Sequence, residues 1–210
     1  MTGPDHRFEH EARAQGYLRI AGVDEVGRGP LAGPVTAAAV ILGPDHVPAG
    51  LNDSKKLGPA ARARLAAEIH AVAEVAIAHA DVAEIDALNI LRASHLAMER
   101  AIAALDPAPD FVLIDGNLIP RGLKLPSRAL VKGDALSVSI AAASIVAKMC
   151  RDRIMVDLAQ QHPGYGWETN MGYPSKCHRL ALQNLGVTPH HRRSFRPVHN
   201  ILYQDETVTD

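Results

Sequence analysis

The sequence predicts an α/β domain in which helices cover a mixed β-sheet. Through the middle of the chain, short apolar runs of strand length alternate with longer segments of helical periodicity. Residues 111–114 are continuously apolar, which is typical of a strand buried on both faces. The 210 residues, of which 47% are hydrophobic, are enough to bury the core of one domain.

The first half of the chain is predicted to contain three strands and two helices. Polar residues at 1–16 indicate a mobile or loosely packed lead-in. The predicted strands are residues 18–23, residues 35–42, which form an antiparallel pair with the first, and residues 75–80. The predicted helices are residues 60–72, which follow Pro59, and residues 83–105, which Asp106 and Pro107 close.

The second half is predicted to contain two strands and two helices. The strands are residues 110–117 and 129–131, and the helices are residues 135–160 and the segment from an N-cap at Ser175 to Leu185. A loop at 164–174 carries the aromatic residues, and the basic run at 190–196 is expected to be exposed. We expect one domain over residues 1–210, with the lead-in at 1–16, the α/β core at 17–161 and a C-terminal loop, helix and basic tail at 162–210.

Composition excludes several classes of protein. No apolar run approaches the ~20 residues of a transmembrane helix, and the polar N-terminus is unlike a signal peptide. Cys150 and Cys177 form no CxxC pair, which indicates a reduced setting without a disulfide framework. We therefore expect a cytoplasmic protein with no membrane contact. The net charge of −1 does not indicate nucleic-acid binding, so such a role would depend on local basic clusters.

Acidic residues stand at the ends of several predicted elements. Asp24 and Glu25 follow the first strand, Asp115 ends the strand at 110–117, and Asp134 precedes the long helix. If the two strands are parallel neighbours, Asp24 and Asp115 share the carboxyl edge of the sheet, where open α/β sheets bind ligands. Solvated acids at strand ends remain the alternative interpretation.

Clustered carboxylates repel one another unless cations neutralise them. Oxygen ligands favour Mg²⁺ or Mn²⁺, and two such ions can support phosphodiester hydrolysis. Asp24 and Glu25 are sequence neighbours, however, and neighbours in a regular strand point to opposite faces. Both can serve one site if the strand ends or bulges there, as the following Gly27-Arg28-Gly29 turn makes plausible.

The glycines after the first strand are unlike a dinucleotide-binding fingerprint. Their spacing, Gly27-x-Gly29-x-x-x-Gly33, differs by one residue, and Pro30 removes a backbone donor. Local basic clusters, which would suit a phosphate backbone beside metal ions, are Lys55-Lys56, Arg121 to Lys132 and Arg192 to Arg196.

Several segments, in order from about residue 18 to 198, resemble bacterial ribonuclease HII of the type 2 ribonuclease H family. They are GVDEVGRGPLAGPV at 22–35, NDSKKL at 52–57, IDGN at 114–117, KGD at 132–134, SIAAASIVAK at 139–148, GYP at 172–174 with His178, and HRRSF at 191–195. The first segment and the helix at 139–148 are long and specific.

The resemblance implies a ribonuclease H-like fold, with a five-stranded mixed sheet flanked by helices and a helical C-terminal extension. It implies an endonuclease that uses Mg²⁺ or Mn²⁺, two ions in catalysis, to cleave the RNA strand of RNA/DNA hybrids. It also implies nicking of duplex DNA 5′ to single embedded ribonucleotides, leaving 3′-hydroxyl and 5′-phosphate ends. Such an enzyme would serve in removing ribonucleotides and RNA primers from DNA, and a monomer is expected.

The resemblance also implies residue roles. Catalysis and metal binding fall to four acids: Asp24, Glu25, Asp115 and Asp134. Substrate binding falls to the Gly27-Arg28-Gly29 backbone, which would read the ribose 2′-hydroxyl, to Lys55, and to Tyr173, which would pack on the sugar at the RNA–DNA junction. A backbone can approach a sugar closely at glycine because no Cβ intervenes, and the 2′-hydroxyl distinguishes RNA from DNA.

The chain departs from the family pattern in two places, a pair of residues and a single residue. The family commonly has a basic His-Lys pair where this chain has Asn170-Met171, and Thr where it has Ser175. A weaker grip on the nucleic-acid backbone near the junction is the expected consequence. Ribonuclease HIII usually carries an extra N-terminal domain and lacks the Gly-Arg-Gly, so it fits less well. A junction resolvase or general hybrid nuclease of the same fold, and a non-catalytic nucleic-acid binder, remain as alternatives.

Overall fold

Five strands form one mixed sheet in the order β3-β2-β1-β4-β5. The computed structural model describes residues 3–44 and 46–203. The strands are β1 Ile20–Val26, β2 Val35–Leu42, β3 Ala73–Ala80, β4 Phe111–Asp115 and β5 Ser127–Leu130. β2 runs antiparallel to β1 and β3, whereas β4 runs parallel to both β1 and β5. The predicted mixed sheet, the antiparallel first pair and the parallel β1–β4 pair are confirmed.

Helices cover both faces of the sheet and form the C-terminal extension. They are α1 Arg7–Ala14, α2 Pro59–Val72, α3 Val82–Leu88, α4 Ile90–Ala103, α5 Val138–Gln161, α6 Trp167–Asn170, α7 Lys176–Leu185 and α8 Arg196–Tyr203. A 3₁₀ turn at Gly133–Ala135 precedes α5. No helix in the described part of the chain is long and apolar enough to cross a membrane.

The interior strand β2 is buried along its whole length because helices pack on both of its faces. Ala37 and Ala39 belong to the core that α4 covers, and Ala38 and Val40 belong to the core that α2 and α5 cover. This alternation follows from the two-residue period of a strand. An unbroken apolar run in the sequence therefore corresponds to a strand between two helical layers.

Gly22 lets α5 cross the sheet at close range. A Cβ atom at Gly22 would lie 2.2 Å from the backbone carbon of Ser139, so no side chain fits there. Small residues in the first turns of α5, Ala141, Ala142 and Ala143, are fully buried against β1 and β2. The first turn of α5 is thereby held against β1 at Gly22.

The N-terminal segment is predicted to be mobile or loosely packed, and this prediction is wrong for most of residues 3–16. α1 packs Phe8 and Ala12 into the core beside Ile20 and Leu113. Its Glu9 is only 4% exposed, and its Oε1 accepts hydrogen bonds from the Ser137 and Ser139 hydroxyls at 2.5 and 2.6 Å. The polar sequence hid this packing because the partners of Glu9 lie far along the chain, at the start of α5.

Two other features differ from prediction, one helix boundary and the burial of the basic run. The single helix expected at 83–105 is two helices, because Asn89 adopts a positive φ of 72° and its side chain caps α4 through the Leu91 and Arg92 amides. The basic run at 190–196 is not uniformly exposed, since His191 and Arg192 are fully buried. The predicted cap at Ser175 is confirmed: its Oγ accepts a hydrogen bond from the His178 amide at 3.1 Å.

Candidate active site

The sheet topology brings the predicted acids to one edge. β1 and β4 pair in parallel up to Val23 opposite Ile114, so Asp24 and Asp115 follow at the same carboxyl edge. The 3₁₀ turn returns Asp134 to this edge, and the Gly133 amide donates a 2.6 Å hydrogen bond to Asp115 Oδ1. The parallel pairing thus places the acids as the sequence predicted.

The first strand does not end or bulge at Asp24, contrary to expectation. β1 continues to Val26 in regular register with β2, and Glu25 pairs with Ala37. The pairing with β4 stops at Val23, so beyond it one side of β1 is open toward Asp115. Burial is the main cause of the raised pKa of both Asp24 and Glu25, and the Asp115 charge raises the pKa of each further.

Burial and mutual repulsion make these carboxyl groups hard to ionise. Burial raises the pKa of Asp24 well above its usual value, and the charges of Glu25, Asp115 and Asp134 raise it further. Burial also raises the pKa of Glu25, against the lowering effect of Arg28. The pKa of Asp134 rises to about 6 because of burial and the neighbouring Asp115 and Asp53 carboxylates. Bound cations would therefore favour the ionised forms of these carboxyl groups.

The donor set fits hard divalent cations. Glu25 Oε2 is buried without a hydrogen-bond partner among the described residues, so an acceptor atom is available for a ligand. Asp24 is only 7% exposed, and carboxylate oxygens are the ligands that Mg²⁺ and Mn²⁺ prefer. Over residues 3–44 and 46–203, however, no three His, Cys, Asp or Glu side chains are already arranged as one ligand set. Metal binding would thus involve side-chain adjustment.

A buried arginine organises the glycine turn beside the acids. Arg192 Nη1 donates to the Arg28 carbonyl at 3.0 Å, and Nη2 donates to the Gly27 carbonyl at 2.5 Å. Arg28 and Gly29 themselves are exposed. Their N–H groups donate to no backbone carbonyl within the described ranges. The turn therefore directs its carbonyls to the core and leaves two backbone donors available beside the carboxylates.

A second buried arginine connects this turn to the loop that carries Tyr173. Arg151 Nη1 donates to the Met171 carbonyl at 2.9 Å, and Nη2 donates to the Ala32 carbonyl at 3.1 Å. Gly27 has a φ of +93°, and a Cβ there would lie 2.1 Å from Arg151 Nε. Tyr173 remains 39% exposed. The turn and the tyrosine loop are thus built as one unit.

A cleft of about 380 Å³ joins these features. Its lining residues are Asp24, Glu25, Val26, Ser54, Lys55, Ser144, Lys148 and Tyr173. Two of the four candidate acids, Asp24 and Glu25, line it together with Lys55 and Lys148, whereas Asp115 and Asp134 are not among its lining residues. This charge pattern suits a polyanionic chain whose phosphate approaches neutralised carboxylates.

Comparison with known proteins identifies the family. The model of the family described as ribonuclease HII matches residues 21–198, which is most of the chain. This chain belongs to the ribonuclease HII family. It is accordingly an enzyme with ribonuclease H activity, the activity that defines its relatives.

Individual relatives agree with this assignment. Ribonuclease HII of Ruegeria pomeroyi is 73% identical over 205 residues, which cover 98% of this chain and 88% of that protein. The crystal structure of ribonuclease H2 from Pyrococcus horikoshii is 25% identical with a TM-score of 0.75, covering 90% of this chain and 100% of that one. The crystal structure of Bst-RNase HIII in complex with Mn²⁺ shares the fold with a TM-score of 0.72 at 22% identity, covering 92% of this chain and 72% of that one.

Sequence reasoning missed four residues around the ribonuclease HII site. Asp53 lies in the field of Asp134, Lys148 lines the cleft, and Arg151 and Arg192 hold the two loops. Asp53, Lys148 and Arg192 lie inside the matching segments, so the family pattern contains a signal for them. Arg151 has no such signal, apart from being a charged residue within a largely buried helix.

The Asn170-Met171 pair, one of the two departures from the family pattern, has a structural role here. Asn170 Nδ2 donates to the Tyr165 carbonyl at 2.8 Å, and its Oδ1 accepts from the Gly172 amide at 2.8 Å. The Met171 carbonyl accepts from Arg151. The pair therefore braces the loop that carries Tyr173 and adds no positive charge to it.

Proposed function

We propose that this chain nicks duplex DNA 5′ to single embedded ribonucleotides and cleaves the RNA strand of RNA/DNA hybrids, leaving 3′-hydroxyl and 5′-phosphate ends. The observation that carries the proposal is the glycine turn beside the acids. Arg28 and Gly29 are exposed residues whose amides donate to no backbone carbonyl within the described ranges, and Arg28 Nη1 donates to Glu25 Oε1 at 3.2 Å. Donors at this position can recognise a ribose 2′-hydroxyl next to the phosphate to be cleaved.

Asp24, Glu25, Asp115 and Asp134 would hold Mg²⁺ or Mn²⁺, two ions during catalysis. The raised pKa of Asp24 and the unpartnered Glu25 Oε2 support this role. Bound ions would supply Lewis-acid chemistry, lowering the pKa of water and neutralising charge on the phosphate. The Gly133 amide would keep Asp115 oriented in the site.

Tyr173 would pack on the sugar at the junction, where a deoxyribose meets the ribonucleotide. Its ring is exposed and borders the same cleft as Asp24 and Glu25. Lys55 would contact the phosphate backbone, and Lys148 lines the same cleft. Lys148 is bound at 2.8 Å by Asp152, which limits its motion. Tyr173 and Lys55 would thus position the substrate together, one at the sugar and the other at the phosphate backbone.

We also propose that the enzyme acts as a cytoplasmic monomer. Cys150 and Cys177 are free thiols, which suits a reducing compartment.

The test uses a labelled DNA duplex with one ribonucleotide, incubated with Mn²⁺ or Mg²⁺. We expect one nick immediately 5′ to the ribonucleotide, abolished by EDTA and reduced at least a thousandfold by Asp134→Asn. The matched control is Asp157→Asn, because Asp157 is an exposed acid of α5. A duplex with a 2′-O-methyl nucleotide at the same position should resist cleavage, since its 2′-oxygen is blocked.

Cleavage of a long RNA/DNA hybrid without nicking at a lone ribonucleotide would overturn the junction-reading role and leave the ribonuclease H activity. Undiminished nicking by folded Asp134→Asn would overturn the metal-binding role of that residue. Equal cleavage of the 2′-O-methyl duplex would remove the glycine turn from 2′-hydroxyl recognition.

A further inference from the structure

A buried pair of histidines lies beneath the loop that carries Tyr173. His178 of α7 and His191 of the following segment are both fully buried. Their Nε2 atoms are 3.0 Å apart, which is a hydrogen-bond distance. Burial lowers the pKa of both rings, that of His191 to about 3. Two neutral imidazoles can share this contact only if one Nε2 is protonated and the other is not.

The groups around His178 determine its tautomer. Its Nδ1 is 3.0 Å from the Tyr173 carbonyl oxygen, which can only accept, so Nδ1 carries the proton. Its Nε2 is then an acceptor. The indole Nε1 of Trp167, which can only donate, lies 3.0 Å from this Nε2 and agrees with the assignment.

The tautomer of His191 follows independently from its contact with Thr188. Its Nδ1 is 3.0 Å from the Thr188 amide, which can only donate, so Nδ1 is the acceptor. Its Nε2 therefore carries the proton and donates to His178 Nε2. The chain of donors runs in one direction, from the Thr188 amide through His191 and His178 to the Tyr173 carbonyl. Every ring nitrogen in it has a partner, and the single lone pair of His178 Nε2 is shared between two donors, Trp167 Nε1 and His191 Nε2.

We propose that His178 is a positioning residue for Tyr173, and this rests on the proposed role of Tyr173 at the sugar. The ring of Tyr173 is 39% exposed, so its place depends on its backbone more than on packing. His178 donates to the carbonyl of Tyr173, and the Tyr173 amide donates to the Asn170 carbonyl at 2.9 Å. His178 thus adds a side-chain anchor at the residue that meets the substrate.

The His178 ring is not the sole donor to the Tyr173 carbonyl. The Ser175 amide also donates to the Tyr173 carbonyl, at 2.8 Å, but this bond belongs to the same short loop. His178 is different because it connects the loop to Trp167 and His191, which are fully buried. Rigid support from buried partners is what a substrate-positioning side chain requires.

Two variants separate the two functions of the His178 ring. His178→Gln retains an acceptor near the position of Nε2 and loses the donor to the Tyr173 carbonyl. His178→Asn retains a donor near the position of Nδ1 and loses the acceptor for Trp167 and His191. We expect His178→Gln to lower kcat/KM on the single-ribonucleotide duplex about five- to tenfold and His178→Asn to rescue most of that loss, even if both lower Tm equally.

A double-mutant cycle with Tyr173→Ala tests whether His178 acts through Tyr173. We expect His178→Gln to cause no further loss of kcat/KM in the Tyr173→Ala background. Multiplicative losses would overturn the positioning role. Loss with Tyr173→Ala but not with His178→Gln would overturn this inference alone. Full activity of Tyr173→Ala would overturn the proposed function of Tyr173 and the positioning role with it.

Imidazole ¹⁵N NMR of the unsubstituted chain gives a readout that is independent of activity. We expect a proton on Nδ1 of His178 and on Nε2 of His191 at pH 7. The opposite tautomer at His178, with the proton on Nε2 alone, would overturn the inference because the Tyr173 carbonyl would then lose the assigned donor.

Discussion

Gly29 and the ring of Tyr173 lie next to each other at the mouth of the candidate site. A Cβ atom at Gly29 would be 3.4 Å from Tyr173 Cε1, which is ordinary van der Waals contact. The two residues come from segments far apart in sequence, and Tyr173 lines the same cleft as Asp24 and Glu25. The absence of a side chain at Gly29 therefore leaves room beside the ring for a sugar.

Gly29→Ala should impair cleavage without impairing folding. The added methyl group fits against Tyr173 but occupies the space proposed for the ribose. We expect about a tenfold loss of kcat/KM on a duplex with one ribonucleotide, and little change in Tm. Gly43→Ala is the matched control, since its Cβ would meet only His46 Nδ1, at 4.0 Å. Equal activity of the two variants would contradict the prediction.

Asp134→Asn should stabilise the metal-free chain at neutral pH. The pKa of Asp134 rises to about 6 in the folded protein. Because the folded state holds this proton more tightly than the unfolded state, the free energy of unfolding falls as pH rises from about 4 to about 6. Removing the charge should raise stability by about 1–2 kcal/mol at pH 7.5 after solvent screening is allowed for.

The measurement is Tm in EDTA at several pH values. The gain from Asp134→Asn should be a few degrees at pH 7.5 and vanish near pH 4, and exposed Asp157→Asn should show no such trend. Adding Mn²⁺ should raise the Tm of the unsubstituted chain more than that of the variant. A destabilised variant at pH 7.5 in EDTA would contradict the repulsion argument.

Arg192→Lys should loosen the glycine turn. A lysine cannot reproduce the guanidinium fork that donates to the carbonyls of Gly27, Arg28 and Gly33. Buried carbonyls left without donors cost about 1–3 kcal/mol each. We expect a Tm several degrees lower and at least a tenfold loss of kcat/KM.

The exposed neighbour Arg193 provides the control. Arg193→Lys retains the charge at a position that donates to Asp86 only through its backbone amide. It should leave both Tm and cleavage unchanged. Equal effects of the two substitutions would indicate that charge in the basic run matters and that the buried fork does not.

Glu9→Ala should destabilise the protein although it lies in the polar N-terminal segment. The Ser137 and Ser139 hydroxyls and the Ser139 amide all donate to Glu9 Oε1. Losing this shared acceptor should cost about 2–4 kcal/mol in urea unfolding. Glu11→Ala, which removes a surface ion pair with Arg128, should cost at most about 1 kcal/mol. Similar costs for both would refute the buried role of Glu9.

Several features could be predicted from the sequence because their causes are local. The run that became β2 is apolar throughout, Ser175 caps α7, and Asp115 directly follows a buried strand. The acids at strand ends could be matched because parallel strands share a carboxyl edge. Each of these inferences needs only neighbouring residues and the known periods of helices and strands.

Other features could not be predicted because the partners are distant in sequence. Glu9 bonds to residues 128 and 130 positions away, and Arg192 bonds to carbonyls 158 to 165 positions away. A basic run is normally solvated, so its composition alone gave no reason to bury His191 or Arg192. The bulge expected at Asp24 was also wrong, because the early end of the β4 pairing opens the edge while β1 stays regular.

The sequence by itself determined the family, the order of the strands along the chain and the acids at the strand ends, since these depend on local pattern and on motifs. The tertiary structure alone decided which groups meet. It turned the Gly27 and Arg28 carbonyls onto Arg192, set the Gly29 backbone beside the Tyr173 ring, and joined two histidines below it. The physical reason is that buried polar groups must find partners, and the fold determines which partners are within reach.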